Sequence, residues 1–139
     1  KPPVSVSTAK VYQALKWDQV QQHPDTEGML EAMAEGDISQ MGKRLCNVLE
    51  TVTIPMHPKI AVLKEALLNL GAEGALMSGS GPTVFGLFLE REQAKRAARA
   101  LRRNFAMRDV FVTQIYHVPH GKKERRKKDG RHKISYQFQ

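Results

Sequence analysis

Cysteine is almost missing from this chain, with Cys46 the only one among 139 residues. A lone thiol excludes an internal disulfide framework and a cysteine-only metal cluster. Set among apolar neighbours in a helical pattern, Cys46 reads as a buried thiol of a reducing compartment. Long hydrophobic runs are missing too. No stretch reaches the roughly 18 apolar residues that a membrane-spanning helix needs, and no secretory leader pattern is visible. The expected location is therefore cytoplasmic, with no membrane partner. His57 lies between Pro55 and Pro58 with no second ligand near it, so no metal-binding residue is expected. The Gly-Lys-Ser/Thr that completes a Walker phosphate loop is absent after Gly79. The chain opens on Lys1 rather than Met, directly ahead of a strand-like run, as expected of a piece of a longer protein.

Positive charge is what the chain has in excess, a formal net of +8. Its placement matters more than its size. From His120 onward, Lys122, Lys123, Arg125, Arg126, Lys127, Lys128, Arg131 and Lys133 face only Glu124 and Asp129, a balance of +6 that leaves +2 for residues 1–119. Residues 1–118 read as one domain, and residues 119–139 as a basic, apolar-poor tail expected to be disordered. A basic tail on an α+β body raises the rival class of a nucleic-acid-binding module. The near-neutral body, and the lack of the RRM aromatic spacing in Val84–Phe88, count against it, so no nucleic-acid partner is expected. A ligand-binding domain without catalysis is the third class.

Taken in order, Lys1–Val6 reads as a strand or an extended entry, with Pro2 and Pro3 suiting an edge or a strand start. Ser7 or Thr8 caps a helix reaching Leu15, with Val11, Ala14 and Leu15 inward. Tyr12 falls one turn after Thr8 on the same face; by residue type alone the two are a cap and a half-buried aromatic. Trp17–Asp25 is a polar loop that Trp17 anchors by packing. Thr26–Glu35 forms a helix ended by Gly36. Asp37 then caps another, whose stripe of Ile38, Met41, Leu45, Val48, Leu49 and Val52 predicts one continuous helix with Asn47 and Glu50 on its polar face. Pro55 and Pro58 bracket a turn. Pro58 opens a helix striped by Ile60, Leu63, Leu67 and Leu70 and closed by Gly71. Ala75–Met77 and Thr83–Leu89 are strands around a Ser78–Pro82 loop. Glu90–Arg103 is an amphipathic helix, and Val110–Val118 a last strand. The order predicts an α+β fold, helices packed on one face of an antiparallel sheet.

The loop carries the chemistry. Gly79 and Gly81 flank Ser80, so the backbone there can adopt positive φ and approach a ligand closely. Successive N–H groups in such a turn form an anion nest, to which the hydroxyls of Ser78, Ser80 and Thr83 add donors. A glycine-rich hairpin turn that binds nothing is an equal reading of these residues taken alone.

The run Leu76-Met-Ser-Gly-Ser-Gly-Pro-Thr-Val-Phe-Gly86 resembles the third glycine-rich motif of the GHMP small-molecule kinases. Pro3–Tyr12, Asn47-Val-Leu-Glu50 and the Pro55–Pro58 turn narrow the resemblance to the branch acting on 4-diphosphocytidyl-2-C-methyl-D-erythritol in non-mevalonate isoprenoid biosynthesis. It extends over about Lys1–Tyr116. What it implies is the ferredoxin-like C-terminal domain of a two-domain enzyme that moves the γ-phosphate of ATP to the substrate's 2-hydroxyl, assisted by Mg²⁺. The catalytic Asp and Lys and the main ATP loop would belong to an N-terminal domain, so no catalytic residue is expected here and the fragment alone should be inactive. By motif match, Ser78, Gly79, Ser80 and Gly81 would support the phosphates. Thr8 and Tyr12 would face the substrate, Tyr12 by stacking on cytosine. The tail after Val118 has no counterpart in this pattern.

Overall fold

A computed structural model describes residues 1–115 of the chain. The expected strand end at 116–118 and the basic tail 119–139 lie outside the described residues. The elements run α1 (Thr8–Ala14), a single 3-10 turn (Trp17–Gln19), α2 (Thr26–Glu35), α3 (Ile38–Lys43), α4 (Glu50–Met56), α5 (Lys59–Asn69), β1 (Gly74–Met77), β2 (Val84–Leu87) and α6 (Arg91–Asn104). None of these helices is long and apolar enough to cross a membrane.

Local chemistry sets the helix starts. Ser7, Asp25 and Asp37 each accept a hydrogen bond from the backbone N–H three residues on, satisfying donors that the first turn leaves open. α2 ends at Gly36, whose φ of 71° is the left-handed conformation of a helix C-terminus. β1 and β2 pair antiparallel with Ala75 opposite Gly86 and Met77 opposite Val84. The expected class, α+β with an antiparallel sheet and helices packed against it, is what the chain forms.

α5 is the spine of the core. Its Ile60 joins Val11, Leu15, Leu49 and Met77 in one apolar cluster, while Leu63 and Leu67, further along the same stripe, join Ala75 and Leu101 in a second. Burying a side chain of this size contributes about 1.5–3 kcal/mol, so this one helix ties both ends of the hairpin to α1 and α6. α6 turns Ala97, Ala98 and Leu101 inward and leaves Arg91, Arg96, Arg99, Arg102 and Arg103 exposed.

Several expectations give way. Lys1–Val6 pairs with no strand; Val4 N–H donates to the Pro2 carbonyl at 2.8 Å in a local turn instead. Val110–Ile115 is also outside the sheet, which among the described residues has two strands. The continuous helix expected from Asp37 to Val52 is broken between Lys43 and Glu50, because Asn47 directs its amide to the β1–β2 loop. Pro55 sits inside α4 rather than in the turn, which falls at His57. Trp17 does not anchor its loop by burial, for it is 67% exposed. Cys46 is only half-buried.

Candidate functional site

The residues Ser78–Gly81 form the tip of the hairpin. Gly81 N–H donates to the Ser78 carbonyl at 3.0 Å, closing a four-residue turn, and Ser78 N–H donates to the Thr83 carbonyl at 2.8 Å. Gly79 occupies the first central position with φ +56°, as glycine does in a type II′ hairpin turn. A cis peptide joins Gly81 to Pro82. Two N–H groups of the expected nest are thus committed to the turn. Those of Gly79 and Ser80 have no protein partner among the described residues.

The two glycines face different surroundings. A Cβ at Gly79 would meet nothing within 4 Å, whereas at Gly81, φ +86°, it would lie 2.7 Å from the Met77 sulfur and 3.3 Å from Thr53 Cγ2. Gly79 looks into open space; Gly81 looks into the core.

Three side chains spaced by three residues hold this tip from the α4 side. Asn47 Nδ2 donates to the carbonyls of Met77 (2.7 Å) and Gly79 (2.8 Å). Glu50 Oε1 accepts the Met77 N–H at 2.7 Å, and its other oxygen pairs with the Lys64 ammonium. Thr53, fully buried, donates from Oγ1 to the Ser80 carbonyl at 3.2 Å. Each bond has its partner far along the chain, so sequence reading placed Asn47 and Glu50 on a solvated helix face and passed over Thr53. The available signal was polar residues recurring at 47, 50 and 53 in a mostly apolar stretch.

The expected substrate-side residues meet the loop from α1. Thr8 Oγ1 lies 2.8 Å from Ser80 Oγ. Tyr12, 54% exposed, lines a cleft of about 590 Å³ together with Trp17, His23, Asn47, Gly79 and Phe85. The structure therefore gathers Thr8, Tyr12 and the loop on one side of the molecule. Trp17, His23 and Phe85 are wall residues that the sequence did not single out as such.

Chemically, the arrangement offers aromatic faces for a planar ring and backbone and hydroxyl donors for an anion. Glu50, whose carboxylate reaches the strand end at Met77, has both oxygens engaged. No group of three His, Cys, Asp or Glu residues that could hold a metal ion occurs among the described residues.

Comparison with known proteins places this geometry. The family described as GHMP kinases C terminal matches residues 29–106. The chain is 47% identical over 118 residues to 4-diphosphocytidyl-2-C-methyl-D-erythritol kinase of Bacillus subtilis (strain 168), a match covering 85% of this chain and 38% of that protein. The kinase of the same name from Lachnoclostridium phytofermentans is 47% identical over 116 residues, covering 84% of this chain and 40% of the relative. A crystal structure of 4-(cytidine 5'-diphospho)-2C-methyl-D-erythritol kinase superposes with a TM-score of 0.61 at 35% identity, over 73% of this chain and 36% of that one. Homoserine kinase from Cytophaga hutchinsonii superposes at a TM-score of 0.60 and 24% identity, over 75% of this chain and 35% of that one, a likeness of fold alone. The chain spans about two fifths of the length of the curated relatives it matches. With more than half of its residues matched to that family and the glycine loop inside the matched span, the chain belongs to the GHMP kinases, as their C-terminal part.

Proposed function

We propose that this chain is the substrate-side part of an ATP-dependent kinase that phosphorylates the 2-hydroxyl of 4-diphosphocytidyl-2-C-methyl-D-erythritol in non-mevalonate isoprenoid biosynthesis. The observation that carries the reading is one cleft that places exposed Tyr12 beside Ser78 and Gly79 of a loop whose Gly79 and Ser80 N–H groups have no protein partner among the described residues. Curated relatives carrying that kinase name support the substrate assignment. Tyr12 and Trp17 offer a face to the cytosine ring, and Ser78, Gly79 and Ser80 support phosphates from one side. Gly81 keeps the turn closed beneath them. Thr8 fixes the Ser80 hydroxyl. A cytoplasmic location fits a free thiol at Cys46 and a supply of ATP.

Phosphoryl transfer asks a protein mainly for positioning and for stabilisation of charge. Preorganised backbone donors contribute to both without titrating. The activating residue and the main nucleotide contacts are assigned to an N-terminal domain that joins this one across the cleft. Mg²⁺ would assist the transfer when bound, but the described residues do not fit an ion of their own: they hold no group of three His, Cys, Asp or Glu side chains, and Glu50 is already taken by Met77 N–H and Lys64.

The test is made in the complete protein. Stacking of a base on an aromatic side chain contributes on the order of 1–3 kcal/mol, so Tyr12→Ala should raise KM for the cytidylyl substrate about tenfold or more and leave KM for ATP unchanged. Equal losses for both substrates would assign Tyr12 to packing and sink the cytosine contact. The 139-residue chain alone should give no turnover with ATP, Mg²⁺ and substrate. Product from it would overturn the assignment of the catalytic groups to the other domain.

A further inference from the structure

A peptide unit is planar and trans, so holding its carbonyl on one side turns its N–H to the other. Asn47 applies this to the loop. Its Nδ2 binds the Met77 and Gly79 carbonyls, and its Oδ1 accepts the Leu49 N–H at 3.0 Å. The last bond decides which end of the amide faces the loop, since the flipped side chain would set an oxygen against two carbonyl oxygens. The Gly79 carbonyl and the Ser80 N–H belong to one peptide unit, the central unit of the turn. With the carbonyl drawn to Asn47, the Ser80 N–H faces away from Asn47, and it has no protein partner among the described residues.

That unit is the one whose rotation interconverts the two favoured hairpin turns. Gly79, with φ +56° and open space where a Cβ would stand, places little steric restraint on it. In the flipped turn Ser80 would have to take positive φ, which its Cβ disfavours; the side chains behind add a polar restraint to that steric one. Thr53 holds the next carbonyl, that of Ser80, and the Gly81 N–H of the same unit closes the turn on Ser78. Two successive peptide units are fixed from the α4 side, and the unpaired donor is left on the other.

We propose that Asn47 is a positioning residue of this site: through the Gly79 carbonyl it orients the Gly79–Ser80 peptide so that the Ser80 N–H is presented to a phosphate or diphosphate group. Asn47 touches no phosphate itself. The assignment rests on the phosphate reading of the loop and adds which side chain aims the donor.

The experiment titrates pyrophosphate into the ¹⁵N-labelled 139-residue chain and follows the amide signals of Gly79, Ser80 and Gly81. The Ser80 amide of the unaltered chain should move saturably. Asn47→Leu, similar in size but without donors, should bind about tenfold more weakly at Ser80, the loss of one well-aimed charge-assisted hydrogen bond. Thr53→Val should weaken the response and Thr53→Ser should restore it, a rescue that filling the space alone would not produce. If Asn47→Leu does not fold, Asn47→Ala and the Thr53 pair carry the same comparison. Unchanged affinity in a folded Asn47 variant overturns the assignment, as does pyrophosphate that perturbs only the arginines of α6 and never Ser80. Failure of the kinase assay is read separately. A complete protein without turnover whose Ser80 amide still responds in an Asn47-dependent way would sink the functional reading and leave this one standing.

Discussion

The two ends of the β1–β2 hairpin are held by opposite means, although one segment of chain, residues 38–56, supplies both. At the base, α3 lies against the strand entry backbone to backbone: a Cβ at Gly42 would fall 2.4 Å from the Glu73 carbonyl oxygen, and one at Gly74 would fall 2.5 Å from the Gly42 oxygen. That end works because side chains are missing. At the tip, Asn47, Glu50 and Thr53 reach across to the backbone of Met77, Gly79 and Ser80. The base is therefore sensitive to added volume, and the tip to altered polarity and, on the inward side at Gly81 alone, to volume as well. One end sets how firmly the hairpin is attached, the other how its loop is aimed.

Breaking the base should have the largest effect. Gly42→Val forces a Cβ into backbone contact and adds two methyl groups to it, and overpacking of this kind costs about 3 kcal/mol, to be read as a lowered urea midpoint with far-UV dichroism as the probe. Gly81→Ala comes next, roughly 2 kcal/mol, because a residue with φ +86° is strained by its Cβ and that Cβ also meets Met77. If the variant were as stable as the parent, the inward orientation of Gly81 would be wrong. Gly79→Ala sharpens the contrast: the strain of a positive φ costs about 1 kcal/mol there, but no neighbour is displaced. Its effect should appear as weakened pyrophosphate binding more than as lost stability. Glu92→Gln, on α6 and away from the loop at the tip, should matter least. The hydrogen bond and charge of Lys95 hold the Glu92 carboxyl below its ordinary pKa. A depressed pKa stabilises the folded chain above the unfolded-state value and loses that contribution as pH falls through the folded one. The small stability difference between parent and variant should shrink as acid is added through the carboxylate range.

What the sequence disclosed follows the distance over which each cause acts. α2 was legible to its end residues because its stop, Gly36, is adjacent to it, as is the cap Asp25, which the sequence reading left in the preceding loop. The interruption between α3 and α4 was not, because the apolar spacing runs straight through it while its cause, the Met77 and Gly79 carbonyls, lies thirty residues on. The flanking glycines of Ser80 look equivalent in the sequence. Only the packing of Met77 and Thr53 under one of them makes them different. The extended segments expected at either end carried the right residue types without a neighbouring strand among the described residues to pair with. The family was readable because several short motifs occurred in order, which no single local rule would have supplied.

The contact of Thr8 with Ser80 has one more consequence. Two hydroxyls 2.8 Å apart share a single hydrogen bond, and either can be the donor. The pair has two proton orders, one leaving the Ser80 proton free and the other leaving that of Thr8. An anion beside Ser80 removes the choice: it accepts the hydrogen bond of the Ser80 hydroxyl, which obliges Thr8 to donate in turn. Ordering the pair costs only a fraction of the roughly 1 kcal/mol that a hydrogen bond contributes, and the aligned chain of donors strengthens each link. A charge arriving at the loop thereby polarises a side chain on α1, one turn away from the ring of Tyr12.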